Sequence, residues 1–157
     1  MIQRIQSLFL LCVLFACIAC FSLPFWTYTG QDYNYTYLVS LFAVELTEGN
    51  AQNLFVSTMP IIVIISVSAI LSIVSIFYYK NRLIQIKINN YNLFLTIIFI
   101  GAIYLWIPYM IEEKLPNAIR NWNYGLILPL FSLIFLILAN RFIKKDEKLV
   151  RSTDRLR

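Results

Sequence analysis

The sequence predicts an all-α integral membrane fold: a four-transmembrane-helix bundle with a small β-containing extracytoplasmic loop and a C-terminal amphipathic helix. Three observations predict it. The 157 residues are 60% hydrophobic and only 13% charged, against roughly 25% charged residues in soluble domains. The apolar residues are grouped into four nearly charge-free blocks, about 5–26, 59–79, 93–111 and 124–143. Each matches the roughly 20 helical residues that cross a hydrocarbon core about 30 Å thick. The third observation is that the basic residues collect beside alternate block ends. A soluble fold is thereby excluded, as is a nucleic-acid binder despite a pI near 9.2. The chain reads as a single membrane domain, with an outer loop at 27–58 and a cytoplasmic tail at 144–157.

Each block reads as a helix, because only helices and closed barrels satisfy every backbone polar group in lipid. Barrel strands would show about ten residues of alternating polarity. Val63–Ile76 is instead continuously apolar with serines interspersed. In the first block, Leu14-Phe15-Ala16-Cys17 loosely resembles a lipoprotein cleavage box. A retained helix fits better, because the apolar run continues through Phe21, Leu23 and Phe25, and Trp26 with Tyr28 reads as an interfacial anchor. Pro108 and Pro129 are expected to kink the third and fourth spans.

Cation placement sets the orientation. With both termini cytoplasmic, eleven of the 13 Lys and Arg lie inside with Asp146, Glu147 and Asp154, a net +8. Lys114 and Arg120 lie outside with Asp32, Glu45, Glu48, Glu112 and Glu113, a net −3. The reverse orientation would strand eleven cations on the wrong face.

The outer loop 27–58 is the one extramembrane segment long enough to fold. Gly30-Gln31-Asp32 and Glu48-Gly49-Asn50 carry turn chemistry. Between them Tyr33, Tyr35, Tyr37, Val39 and Leu41 alternate with Asn34, Thr36, Leu38, Ser40 and Phe42, a strand period. A hairpin or three-stranded sheet is expected, packed on the outer helix ends as a lid or, alternatively, as a partner-binding surface. Segment 80–92 reads as a short basic inner loop. Segment 112–123 reads as an outer loop, with Trp122 and Tyr124 marking re-entry into the interface.

In the tail, Phe142, Leu149 and Leu156 share a stripe with Ile143 and Val150 beside it, while Lys144, Lys148, Arg151 and Arg155 lie opposite. That separation describes a surface helix at the acyl–headgroup boundary, each cation contributing about 1 kcal/mol near anionic lipid. The candidate partner or lipid contacts are Lys80, Arg82, Lys87, Arg141, Lys144, Lys145, Lys148, Arg151 and Arg155. The expected partners are a bilayer with anionic headgroups and a membrane or cytoplasmic protein.

Chemistry is sparse. The chain has no histidine, the commonest general base and metal ligand. The span cores hold no ionisable group of the kind that marks relays, coupled transporters and voltage sensors. Ser68, Ser72 and Ser75 share a face beside Ala69, read as a packing seam. Cys12, Cys17 and Cys20 fit no zinc spacing and read as packing residues. Glu112-Glu113 points two ways and reads as an interfacial ion cluster with Lys114. No catalytic, cofactor-binding or metal-binding residue is expected, and no enzyme activity.

Three basic motifs carry a family resemblance: Met1-Ile2-Gln3-Arg4-Ile5-Gln6-Ser7-Leu8, Tyr79–Lys87, and Ala139-Asn140-Arg141 followed by Lys145–Ser152. Lying in order at the start, middle and end, they resemble the small four-span membrane proteins of bacteroidete bacteria grouped as domain of unknown function 4293. The resemblance implies four spans and a bacterial inner membrane, and it carries over no activity. The plan also resembles the claudin architecture, without the Trp and paired-Cys signature of its first loop; fold alone does not imply function. The expected function is a non-enzymatic accessory or interaction protein acting through the cytoplasmic basic motifs. A small transporter, channel or lipid-handling protein is the alternative.

Overall fold

The computed structural model describes residues 2–30, 35–49 and 56–154. α1 (Ile2–Ser22) leads into three strands, β1 (Trp26–Gly30), β2 (Tyr35–Val39) and β3 (Val44–Gly49). After α2 (Met59–Phe77) comes one 3-10 turn (Tyr78–Lys80), then α3 (Arg82–Gly101), a π turn (Ala102–Trp106) and α4 (Ile107–Lys114). β4 (Ala118–Trp122), a second 3-10 turn (Tyr124–Leu126) and α5 (Ile127–Asp154) complete the order. Among the described residues four helical segments are long and apolar enough to cross a membrane: Ile5–Ser22, Met59–Phe77, Arg82–Lys114 and Tyr124–Val150.

Three of these segments differ from the sequence expectation: the first ends at Ser22 rather than Trp26, which stands on a strand. The third starts at Arg82 rather than Leu93, so Arg82 and Lys87 stand on a helix and not in a loop. Polar residues that look like a loop are here the buried stripe of a helix: Gln85, Asn89, Asn92 and Thr96, with Phe99. The fourth segment runs without a break into the tail. Ile143 and Asp146 of the tail are buried against the bundle, while Leu149 and Val150 are exposed. The tail therefore begins as a packed helix end and not as a separate surface helix. Leu156 and Arg155 lie outside the described residues, as do Gln31–Asn34 and Asn50.

On α2 burial departs from the pattern of a soluble bundle. α2 buries Ile61, Ile65, Ser68, Ser72 and Ser75 and exposes Val63, Val67, Ile70 and Ile73. Water would drive those branched side chains inward; apolar surroundings leave helix pairing to packing and hydrogen bonds. The buried positions of α2 and of α3 with its π turn mirror each other. Reading α2 backwards through 75, 72, 68, 65 and 61 and the partner forwards through 89, 92, 96, 99 and 103 gives the same steps. Two antiparallel helices with matching stripes present one continuous seam.

The sheet has the order β3-β2-β1-β4 with every neighbour antiparallel. Three strands come from the first loop as expected. The fourth comes from the segment after α4, where Ala118–Trp122 pairs with β1 from Gly30↔Ala118 to Trp26↔Trp122. The join continues past the strand: Asn123 N–H donates to Phe25 O at 3.1 Å and Gly125 N–H to Pro24 O at 3.2 Å. A Cβ on Gly125 would run into the Pro24 carbonyl, so glycine permits this close approach. Gly49 closes β3 with φ of 95°, as turn chemistry requires.

The two prolines act differently. In the π turn Ile107 N–H turns to Ala102 O, five residues back. By the same pattern the carbonyl of Ile103 faces Pro108, which has no N–H. The indole Nε1 of Trp26 donates to that open carbonyl at 3.0 Å. Pro108 thus produces a docking point for the sheet. Pro129 lies in the first turn of α5, where N–H groups have no intrahelical partner anyway, so no kink arises there. Trp26 and Tyr28, expected as interfacial anchors, are buried on β1 under the sheet, because α1 ends at Ser22 and the chain turns inward. Trp122 and Tyr124 are exposed, at 75% and 79%.

Candidate functional site

Three polar features occupy successive levels of the bundle. At mid-depth, Asn92 ties α3 to α2. Its Nδ2 donates to Ser72 Oγ at 2.8 Å, and its Oδ1 accepts from Ser68 Oγ at 2.5 Å. One level towards the 3-10 turn, Ser75 Oγ donates to Asn89 Oδ1 at 2.7 Å and Gln85 Nε2 to Ser75 O at 3.0 Å. The serine face is thus a seam closed by amides from the facing helix.

Beside Asn92 the four helices leave a small cavity with room for about one water-sized sphere. Ala16, Cys17 and Cys20 line it from α1, Ile65 and Ser68 from α2, Thr96 and Phe99 from α3, and Ser132 from α5. Cys17 and Cys20 are 4% and 2% exposed, whereas Cys12 is only half-buried. Sequence spacing alone does not show that two of the three cysteines meet hydroxyls from three other helices. The available signal was that positions 17 and 20 share a helix face and position 12 does not.

The third level is the end of the bundle opposite the sheet. Arg82 Nη2 lies 3.1 Å from Asp146 Oδ2, and Nη1 donates to Asp146 O at 3.2 Å. With side chains only 18% and 12% exposed, this pair clamps the start of α3 to the tail of α5. Gln6 Nε2 donates to Phe142 O at 3.1 Å, and Asn140 Nδ2 to Asn90 Oδ1 at 2.8 Å. The three basic motifs therefore meet at one end of the molecule, two of them joined directly by Arg82 and Asp146. The first is held through Phe142 beside the third, and Asn140 is tied to Asn90 beside the second.

Of the candidate contacts, Lys87, Arg141, Lys144, Lys145 and Lys148 are exposed around this end. Arg82 is turned inward to Asp146 instead. Lys80 and Arg151 lie on helical backbone, with side chains outside the described set, and Arg155 lies outside the described residues. The opposite end carries the sheet, where Arg120 Nη1 bonds Glu112 Oε1 at 2.9 Å and its guanidinium sits 5.0 Å above the Trp26 ring. Glu45 and Glu48 are on β3, at the far edge from β4. Under the sheet, burial pushes the Tyr28 phenol up to about 12, and the Glu112 charge pushes the same way. Arg120, its register partner, offsets part of this without making a short bond to the hydroxyl. Burial likewise raises Tyr37.

Among the described residues no group of three or more His, Cys, Asp and Glu is placed to hold a metal ion. A family model described as "Domain of unknown function (DUF4293)" matches residues 2–156. The chain belongs to the DUF4293 family. No curated protein matches it significantly. For this DUF4293 chain, the three motifs that carry the resemblance are the segments the fold gathers at the basic end.

Proposed function

We propose that this DUF4293 protein is a multi-pass protein of a bacterial inner membrane, with both termini cytoplasmic, acting as a non-enzymatic accessory or interaction protein through its basic end. The observation that carries the reading is the assembly of that end. Residues from α1, α3 and α5 are cross-linked by Arg82–Asp146, Gln6–Phe142 and Asn140–Asn90, and exposed cations surround the assembly. Long exposed Lys and Arg side chains beside a membrane span attract anionic headgroups, and a clamped scaffold holds them in a fixed pattern for a protein partner. The closed serine seam supports this reading over a conducting path, and among the described residues the outer acids stand on separate elements, Glu112 and Glu113 on α4 and Glu45 and Glu48 on β3.

Sidedness is tested with single cysteines placed at Lys148 and Glu48 in a background lacking the native three. A membrane-impermeant maleimide applied to spheroplasts is expected to label position 48 and spare position 148. Function is tested by co-purification from gently solubilised membranes. The intact chain is expected to retain proteins that a form truncated after Arg141 loses; identical recoveries reject the interaction reading.

A further inference from the structure

We propose that Cys17 and Cys20 form a two-sulfur binding site for a soft monovalent metal ion of the Cu(I) class at the centre of the bundle. The site is independent of the basic end and of what binds there.

The argument starts from where the hydroxyl protons go. Ser68 Oγ donates to Asn92 Oδ1, Thr96 Oγ1 to Asn92 O at 2.9 Å and Ser132 Oγ to Pro129 O at 2.9 Å. Every hydroxyl lining the cavity has thus spent its hydrogen elsewhere, so the wall offers lone pairs and sulfur. Cys17 Sγ lies 3.9 Å from Ser68 Oγ. Because that oxygen has already donated, the thiol is the donor, and Cys17 is held in place by the seam. A cavity lined by acceptors and thiols suits a cation or a hydrogen-bond donor, and sulfur ligands select soft ions.

Geometry favours a metal over a disulfide. Residues at i and i+3 of a helix have Cβ atoms about 5–6 Å apart, whereas a disulfide holds them at about 3.5–4.5 Å. Two sulfur–metal bonds of about 2.3 Å each hold the sulfurs up to ~4.6 Å apart, a spacing that side chains with Cβ atoms about 5–6 Å apart reach without unwinding α1. Zinc is disfavoured because it takes four ligands, and the chain has no histidine. Charge also fits a monovalent ion. On binding, one thiol loses its proton to bulk water and forms a metal–thiolate bond, while the second coordinates as a neutral thiol. The buried site then carries no net charge, which low-dielectric surroundings require.

The test uses the full-length protein, purified in detergent under reducing, anaerobic conditions and titrated with Cu(I) against the chelator bicinchoninate. The intact chain and Cys12→Ser are expected to withhold one equivalent. Cys17→Ser and Cys20→Ser are each expected to weaken binding by at least the roughly 10–100-fold that even supporting residues cost. X-ray absorption on the loaded intact chain is expected to show two sulfur neighbours, a readout that does not depend on any variant folding. The proposal is overturned if the intact chain surrenders all copper, if Cys12→Ser loses as much as Cys17→Ser, or if the metal shell holds nitrogen instead of sulfur.

Discussion

α2 meets α3 through hydroxyls and amides, whereas α1 meets α5 through stacked rings and small or branched apolar side chains. On the first interface, Asn92 and Asn89 engage Ser68, Ser72 and Ser75. On the second, Phe9 stacks on Phe135 at 6.1 Å and on Phe142 at 5.5 Å, with Leu136 and Ala139 fully buried nearby. The difference teaches how helices choose partners when apolar burial does not discriminate. Directional hydrogen bonds set the register of one pair, since a one-residue slip would separate every serine from its amide. Shape sets most of the other, where one directional bond, from Gln6 to the Phe142 carbonyl, lies at the basic end and elsewhere a slip costs packing.

Breaking the polar pair is expected to have the largest effect. Asn92→Leu removes two cross-helix bonds and leaves Ser68 and Ser72 without them, for a loss of about 2–3 kcal/mol. Unfolding in detergent, by heat or by SDS titration, measures it. The contrast sharpens if Leu136→Ala, read the same way, costs only about 1–2 kcal/mol. A lipid-like exterior removes most of the transfer part of a Leu→Ala loss and leaves the cavity part. If Leu136→Ala proves the costlier of the two, the proposed division between the interfaces fails.

A smaller effect is expected at the clamp. Asp146→Asn keeps the side chain's shape and removes the ion pair with Arg82. The expected loss is about 1 kcal/mol, shrinking in high salt if part of the attraction is screened. No loss at either salt concentration would assign the clamp to the backbone bond from Arg82 instead. The smallest effect near neutrality is expected for Tyr28→Phe, whose hydroxyl makes no short bond. At alkaline pH the comparison with the intact chain opens. The folded-state phenol is raised to about 12, above the ordinary value near 10. Its neutral form is therefore favoured by folding, with that stability intact below pH ~10 and lost as pH rises from ~10 towards ~12. Tyr28→Phe should lose less stability over that window; parallel curves for the two proteins would contradict it.

Much of this was legible in the sequence for identifiable reasons. The spans were legible because charge is nearly absent from them. The serine seam was legible because positions 68, 72 and 75 share a face. The mating stripe on α3 is not legible in the same way, although Gln85, Asn89, Asn92 and Thr96 repeat at helical spacing. Amides near a basic segment look like loop residues until a second polar helix is found to face them. β4 is not legible because Ala118–Trp122 has no alternation of apolar and polar residues, and in the fold a single half-buried residue is followed by exposed ones. It is a strand because β1 offers it an edge.

By itself, the sequence determined four helical segments fit to cross a membrane, and a division of charge between their ends. Both follow from local rules: segment length, side-chain transfer and the placement of cations beside apolar runs. The tertiary structure decided which polar groups meet. It joined the loop after α4 to the first sheet, gave the Ile103 carbonyl opened by Pro108 to Trp26, brought Arg82 to Asp146 and gathered two thiols with three hydroxyls in one cavity. Those contacts join residues far apart in the chain, and pairing at such separations depends on how whole helices pack, which no local window of sequence contains.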